Sequence, residues 1–292
     1  MSFTTGIRSS NRTRATLTIL ALIGALIAFS TPGGADAAPR GDVAPRNIVV
    51  FGDSFTSNPA FFSNVGPGCH RNPESWPNQL DRMTTKRVND YSCANSSLEG
   101  PYNLYDQASK ARAAITPGTS SVLVQLGFND YGNGLDFLVR CHVSGCPGGE
   151  EQFPRLTTTN YAARLKPLID YVRYYVPKAR IAIVGYPEMY SENQRDICTR
   201  LPGGSPVTRP GTSAAPAFMR KIERVQSEAA RKLNVTFVSL KQVTRGHGMC
   251  APDAWIAGYF YPFDGANTRI QAHPTRVGDL VAARTVQSRL GL

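Results

Sequence analysis

The chain has 292 residues, 32 Lys and Arg against 21 Asp and Glu for a net charge of +11, six cysteines, and 41% hydrophobic and 18% charged residues. That much apolar material excludes a disordered chain, and six cysteines in this length exclude a fold held by disulfides alone. One long apolar run excludes a polytopic membrane protein, and no basic run interleaved with aromatics argues for a nucleic-acid partner.

That apolar run opens the chain. Arg8, Arg12 and Arg14 precede an apolar stretch over residues 16–30, and Ala35-Asp36-Ala37 supplies an A-x-A site. The order basic, apolar, small predicts a secretory signal peptide over residues 1–37, cleaved before Ala38. Residues 38–46 are Pro-rich and polar, an extended lead-in to a single domain over residues 47–292. The excess of positive charge favours anionic surroundings such as a cell envelope.

Export makes the six cysteines meaningful. Cys69, Cys93, Cys141, Cys146, Cys198 and Cys250 are even in number, as expected for disulfides in an oxidising compartment, and no CxxC pair supports a metal site. Fifteen connectivities are open. Pairing nearest neighbours in sequence gives Cys69–Cys93, Cys141–Cys146 and Cys198–Cys250.

Residues 47–51 are short, apolar and β-branched and end at Gly52, which predicts a buried strand. Further strands are expected over residues 86–91, 121–126, 179–184 and 235–240. Between them, Leu104, Ala108, Ala111 and Ile115 recur at helical spacing before Pro117-Gly118. Asn160 is placed to cap a helix carrying Leu165, Leu168, Ile169, Val172 and Val176. Phe218, Ile222, Val225, Ala229 and Leu233 mark a third helix. Pro274 is placed to open a last one, with Val277, Leu280 and Val281 facing inward. Residues 129–155 and 197–211 are Gly-, Pro- and Cys-rich and are expected to be ordered surface loops. Strands alternating with helices predict a parallel α/β sheet covered on both faces.

In such a sheet ligands bind beyond the C-terminal ends of the strands. The first strand ends in Phe51-Gly52-Asp53-Ser54-Phe55, which places Ser54 near a helix N-terminus, where backbone N–H groups favour developing negative charge. The plainer role for a serine there is an N-cap. The third strand ends in Gly127-Phe128-Asn129-Asp130. The Asn129 amide is a neutral donor suited to an oxyanion, or else part of an Asx turn. Before the last helix stands His273-Pro274-Thr275, positioned to serve Ser54 as general base. His70 and His142 each neighbour a cysteine and read as structural.

Together these three segments resemble the SGNH (GDSL) hydrolase superfamily, and their order along the chain agrees. Phe51-Gly52-Asp53-Ser54-Phe55 matches the first block of the family, Gly127-Phe128-Asn129-Asp130 the third, and His273-Pro274-Thr275 with Gly278 the last. The six cysteines and Gly246-His247-Gly248-Met249-Cys250 followed by Trp255-Ile256 are similar to the secreted actinobacterial esterases of that superfamily. The resemblance implies a single-domain three-layer α/β/α fold with a five-stranded, mainly parallel, flavodoxin-like sheet. It also implies ester hydrolysis through an acyl-enzyme, with an acylated lipid or glycan as partner, a monomeric state, and neither metal nor organic cofactor. The oxyanion donors it implies are Ser54, Asn129 and a backbone N–H of the second block.

Two departures from the family pattern matter. In the second block, Cys93-Ala94-Asn95-Ser96-Ser97-Leu98, Asn95 stands where relatives often have Gly; Asn tolerates positive φ, and Gly100 is the other candidate. The family's D-x-x-H would put an acid at position 270, which is Ile270. The expectation is therefore a Ser54–His273 dyad with the ring oriented by the Ile270 main-chain carbonyl, or an acid reaching in from Asp264 or Asp253. The missing acid also keeps open a catalytically inactive secreted binding protein on the same scaffold. An O-acetyl-glycan esterase is the other alternative to a lipid esterase.

Overall fold

The computed structural model describes residues 47–292 apart from 61–67, 100–102, 131–133, 201–204, 259–262, 265–266 and 269. The expected signal peptide, the lead-in and Gly100 lie outside the described residues. The first four strands are β1 (Asn47–Gly52), β2 (Arg87–Asp90), β3 (Thr119–Gln125) and β4 (Arg180–Val184). A small antiparallel hairpin of β5 (Ile197–Arg200) and β6 (Pro206–Arg209) follows, then β7 (Thr236–Val238) and a two-residue pair, β8 (Phe263–Asp264) and β9 (Asn267–Thr268). The main sheet has the order β2-β1-β3-β4-β7, and every pairing in it is parallel. The chain steps outward from β1 to β2 and then back past it to β3, so the topological switch lies between β1 and β3.

Both faces of the sheet are covered, which is why its central strands β1, β3 and β4 carry apolar runs. On one face Ile48, Val50, Leu123, Ala182 and Val184 pack with α2 (Trp76–Met83) and α8 (Arg276–Leu290), through Trp76, Leu80, Ala282, Ala283, Val286 and Leu290. On the other, Val49, Phe51, Val122, Val124, Ile181 and Ile183 meet α3 (Leu104–Ala111), α5 (Thr158–Tyr175) and α6 (Ala214–Leu233). Each fully buried Val, Leu, Ile or Phe contributes about 1.5–3 kcal/mol. The alternation of neighbouring strand residues between two cores therefore fixes the register of the sheet, because a one-residue slip would exchange both sets. The result is the three-layer α/β/α architecture with a five-stranded sheet.

Several local expectations differ from the structure. Helix α5 is capped by Thr157, whose hydroxyl accepts from Asn160 N at 3.1 Å, and Asn160 lies inside the first turn. The apolar stripe begins at Tyr161, a turn before Leu165, which draws the start forward. Pro274 does not open α8; Thr275 caps it by accepting from Gly278 N at 3.3 Å. Val277 is 49% exposed, and the buried stripe is carried by Gly278, Asp279, Ala282, Ala283, Val286 and Leu290. Small residues and a buried carboxylate hid that stripe from a reading by large apolar side chains.

The two expected loops are partly regular. Residues 129–155 contain α4 (Gly134–Ser144), which buries Leu138 and Cys141, and a 3-10 turn at Glu150–Gln152. Residues 197–211 hold the β5–β6 hairpin, whose β5 strand buries Ile197, Cys198 and Thr199. Disulfides join Cys69 to Cys93, Cys141 to Cys146 and Cys198 to Cys250.

Candidate active site

The turn after β1 is tight. A Cβ on Gly52 would meet Thr56 Oγ1 at 2.0 Å, so only glycine lets the strand end lie against the helix that follows. That helix is the single turn α1 (Ser54–Ser57), closed by Asn58 in the left-handed region at φ 37°. Its N-cap is Asp53, whose Oδ1 accepts from Phe55 N at 2.9 Å. Ser54 is therefore the first helical residue rather than the cap. Its N–H is among the donors that a helix N-terminus leaves unpaired.

His273 lies opposite, 1% exposed, on the segment that leads into α8. Its Nε2 is 2.8 Å from Ser54 Oγ, and its Nδ1 is 2.7 Å from a main-chain carbonyl. A carbonyl can only accept, so Nδ1 carries the proton and Nε2 is left to accept from the serine hydroxyl. The carbonyl is that of Gln271, not Ile270. A carboxylate side chain has the reach to come from three residues away, whereas a carbonyl must lie within a turn of the backbone itself. Ala272, at φ 60°, makes that turn and carries the carbonyl of residue 271 under the ring. Ile270 is instead 4% exposed and apolar.

The imidazole is held from several sides. The Phe55 ring stacks on it at a centroid distance of 4.4 Å. The flanking backbone pairs with residues 255–257: Ala257 N donates to His273 O, Ala272 N to Ala257 O, and Thr275 N to Trp255 O, at 2.8–3.0 Å. Asn58 Nδ2 donates to Pro274 O at 2.8 Å and to Asp279 Oδ2 at 2.7 Å, tying the end of the serine turn to the start of α8. Burial lowers the His273 pKa to about 4, the Gln271 carbonyl opposing the shift, so the ring is neutral at pH 7.

Asn129 follows β3, on the other side of the topological switch from Ser54. Its Nδ2 donates to Ser96 O at 2.8 Å, which uses one amide hydrogen and leaves the second for another acceptor. The neighbouring Asp130 carboxylate accepts from Leu98 N at 2.8 Å and Glu99 N at 3.2 Å. Burial raises the Asp130 pKa to about 6, against the pull of the Leu98 N–H and Arg164. Asn129 and Asp130 thus grip the segment that carries Asn95. Asn95 sits at φ 62°, the backbone pose that favours Gly or Asn. Cys93 N donates to Gly52 O at 3.0 Å, and the Cys69–Cys93 bridge holds the same segment.

The other expected residues lie elsewhere. Asp253 contacts His247, with Oδ2 2.9 Å from Nδ1, and the His247 ring stacks on Trp255 at 3.5 Å. The backbone of Asp264 pairs with Asn267 in the β8–β9 ribbon. His142 is buried in α4, where burial lowers its pKa to about 4. Among the described residues, no cluster of three His, Cys, Asp or Glu is placed to hold a metal ion.

Three contributors were missed from sequence: Asn58, Asp130 and the Asp53–Tyr186 pair. Tyr186 follows β4, at the same strand edge as Ser54 and Asn129, and its Oη donates to Asp53 Oδ2 at 2.6 Å. The strand expected over residues 179–184 ends just before Tyr186, but nothing local shows that its phenol turns toward β1.

Comparison with known proteins gives the family and the fold. A family model described as the GDSL-like lipase/acylhydrolase family matches residues 50–279. The chain is 25% identical to lipase 2 of Streptomyces coelicolor, over 94% of this chain and 95% of that protein. It is 23% identical to an esterase of Streptomyces scabiei, over 92% of each. Among solved structures, it resembles phospholipase A1 from Streptomyces albidoflavus with a TM-score of 0.62 at 20% identity, over 84% of this chain and 99% of that one. An extracellular lipase from Streptomyces rimosus gives a TM-score of 0.62 at 21% identity, over 83% and 99%. These structural likenesses share the fold, and the family match takes in the Ser54, Asn129 and His273 segments. The chain belongs to the GDSL-like lipase/acylhydrolase family and is a carboxylic ester hydrolase.

Proposed function

We propose that the protein is an exported serine esterase acting on lipid acyl esters, with Ser54 as nucleophile and His273 as general base. The observation that carries this reading is the line from the Gln271 carbonyl through the imidazole to Ser54 Oγ, with both contacts under 3 Å. Ser54 Oγ attacks the acyl carbonyl as His273 Nε2 takes its proton. The oxyanion receives the Ser54 N–H, a backbone N–H at Asn95 and the free hydrogen of the Asn129 amide. His273 then protonates the leaving alcohol, and water, deprotonated by the same imidazole, releases the acid from the acyl-enzyme. No cofactor enters these steps.

Export is supported by the basic-apolar-small order of residues 1–37 and by three disulfides. The net positive charge favours working at an anionic envelope, and the protein is expected to be a monomer. The preference for lipid esters draws on the named lipase and phospholipase relatives. The experiment pairs a fluorophosphonate label with a chain-length series of nitrophenyl esters, phospholipid vesicles and acetylated xylan. Labelling confined to Ser54, with turnover of longer acyl chains or vesicles exceeding that of xylan, is the expected result. No labelling would favour an inactive binding protein, and turnover of xylan alone would favour a glycan esterase.

With a carbonyl as the orienting group, no single carboxylate is essential to the imidazole. Asp253→Asn and Asp264→Asn are each expected to lower kcat less than about tenfold, against the roughly 10⁴-fold loss on amidating a true triad acid. A loss near 10³-fold in Asp264→Asn with the fold intact would install Asp264 as the acid.

A further inference from the structure

Beneath Ser54 lies a carboxylate that the hydrolytic steps do not use. Asp53 is fully buried, and two partners fill its two oxygens: Oδ1 accepts from Phe55 N at 2.9 Å and Oδ2 from Tyr186 Oη at 2.6 Å. The phenol oxygen in turn accepts from Phe128 N at 3.0 Å. The backbone on either side of this chain of bonds carries the reacting groups, Ser54 between Asp53 and Phe55, and Asn129 next to Phe128. The rings follow the same path, with Phe55 edge-on to Phe128 at 4.9 Å and to Tyr186 at 5.0 Å. One carboxylate and one phenol therefore join the ends of β1, β3 and β4 directly below the nucleophile and the oxyanion donor.

The hydrogens allow one arrangement. Backbone N–H groups can only donate, so Phe55 N fills Oδ1 and Phe128 N fills the phenol oxygen. The single phenol hydrogen must then go to Oδ2. A proton on Oδ1 would face the Phe55 N–H. A proton on Oδ2 would displace the phenol hydrogen, which has no other acceptor among these contacts. The pair is thus complete only when Asp53 is ionised.

We propose that Asp53 and Tyr186 act as a positioning pair, holding Ser54 and Asn129 in register only while Asp53 is a carboxylate, so that protonation of Asp53 rather than of His273 sets the acid limb of hydrolysis. The proposal rests on Ser54 and His273 being the reacting pair. Burial supports the separation of the two limbs. It raises the Asp53 pKa to about 7, the Tyr186 and Phe55 bonds opposing it and the Asp130 charge adding to it, whereas His273 is lowered to about 4. The titratable groups acting on the pair are Asp130 after β3 and Tyr161 on α5, with His273 stacked on Phe55 before α8; Glu188, Arg220, Glu223 and Lys241 line the cavity that Tyr186 also borders. Tyr161 donates its own hydrogen to Leu126 O and does not compete for the carboxylate.

The test is the pH profile of kcat/KM, which reports ionisations of the free enzyme. A soluble nitrophenyl ester read at the isosbestic wavelength of nitrophenol serves for the wild type, Asp53→Asn and Tyr186→Phe. The wild type is expected to lose activity about tenfold per pH unit below an apparent pKa near 7. Asp53→Asn should remove that limb and leave one near 4. Tyr186→Phe keeps the ring but withdraws a donor from the carboxylate, and should move the limb up by about one to two pH units, with KM within about threefold. A wild-type limb near 4, or a limb near 7 that survives Asp53→Asn, overturns the proposal. So does a Tyr186→Phe enzyme that is merely less stable, with its limb in place. Should Asp53→Asn not fold, the Tyr186→Phe shift decides alone. Ser54→Ala separates the two readings: if it stays active, the nucleophile assignment fails; if it is inactive and the limbs do not move, only the positioning pair fails.

Discussion

Ser54→Ala is expected to lower kcat by about 10⁶-fold, and His273→Ala by a similar factor, while the double substitution is no worse than either alone. The reason is that the two side chains act as one unit. The serine is a weak nucleophile until Nε2, 2.8 Å away, takes its proton, and the imidazole without Ser54 has nothing to activate. The residual rate of both variants should reflect the oxyanion donors and substrate binding, about 10³–10⁴ above water in a comparable serine hydrolase. Stability should hardly change in Ser54→Ala, since among the described residues the side-chain hydrogen bond of the hydroxyl is with the imidazole. Melting curves and single-turnover assays of the three variants check this. Losses that multiply in the double variant, or a Ser54→Ala enzyme that keeps a tenth of wild-type activity, would contradict the assigned pair.

Asn129→Ala should lower kcat by about 10²–10³-fold with KM little changed, because in the proposed role its second amide hydrogen donates to charge that exists only as the tetrahedral intermediate forms. The same substitution removes the bond to Ser96 O, a net loss of about 1 kcal/mol, too little to account for the rate. The check is therefore a split between parameters: kcat collapses while KM and melting temperature stay nearly constant. A rise in KM with kcat preserved would mean that Asn129 binds the ground-state ester. A large drop in melting temperature would mean that its grip on residues 93–99 is its main role.

The two predictions also bear on the carbonyl. The Gln271 carbonyl fixes the tautomer of His273 as an aspartate would, but it brings no full charge to stabilise the imidazolium. The surrounding burial does not supply one either, since it holds the ring neutral down to about pH 4. On the proposed reading, orientation by a main-chain carbonyl carries the function of the third group.

Much of this was legible from residue order. The strand runs at 47–51, 121–126 and 179–184 were readable because a parallel strand buried on both faces leaves an uninterrupted apolar signature bounded by glycine. Ser54 and Asn129 were readable because each follows such a strand, which puts it at the ligand-binding edge of the sheet, and His273 because it stands just before the last helix in the order that the family resemblance implies. What the sequence withheld depends on contacts between distant segments. The start of α5 and the inward stripe of α8 were set by packing on Tyr161, Ala282 and Ala283, which local periodicity underweights. The shift from Ile270 to Gln271 hangs on one residue, Ala272, turning into the left-handed region, a conformation that alanine's own preferences disfavour and that the pairing with residues 255–257 sustains. Asp53, Asp130 and Asn58 find their partners 133, 32 and 221 residues away, in Tyr186, Leu98 and Asp279. The sequence alone thus determined which residues would reach the edge of the sheet. Only the tertiary structure decided what each would touch there, because a hydrogen bond is set by atoms a few ångströms apart and the linear order of residues carries no such distance.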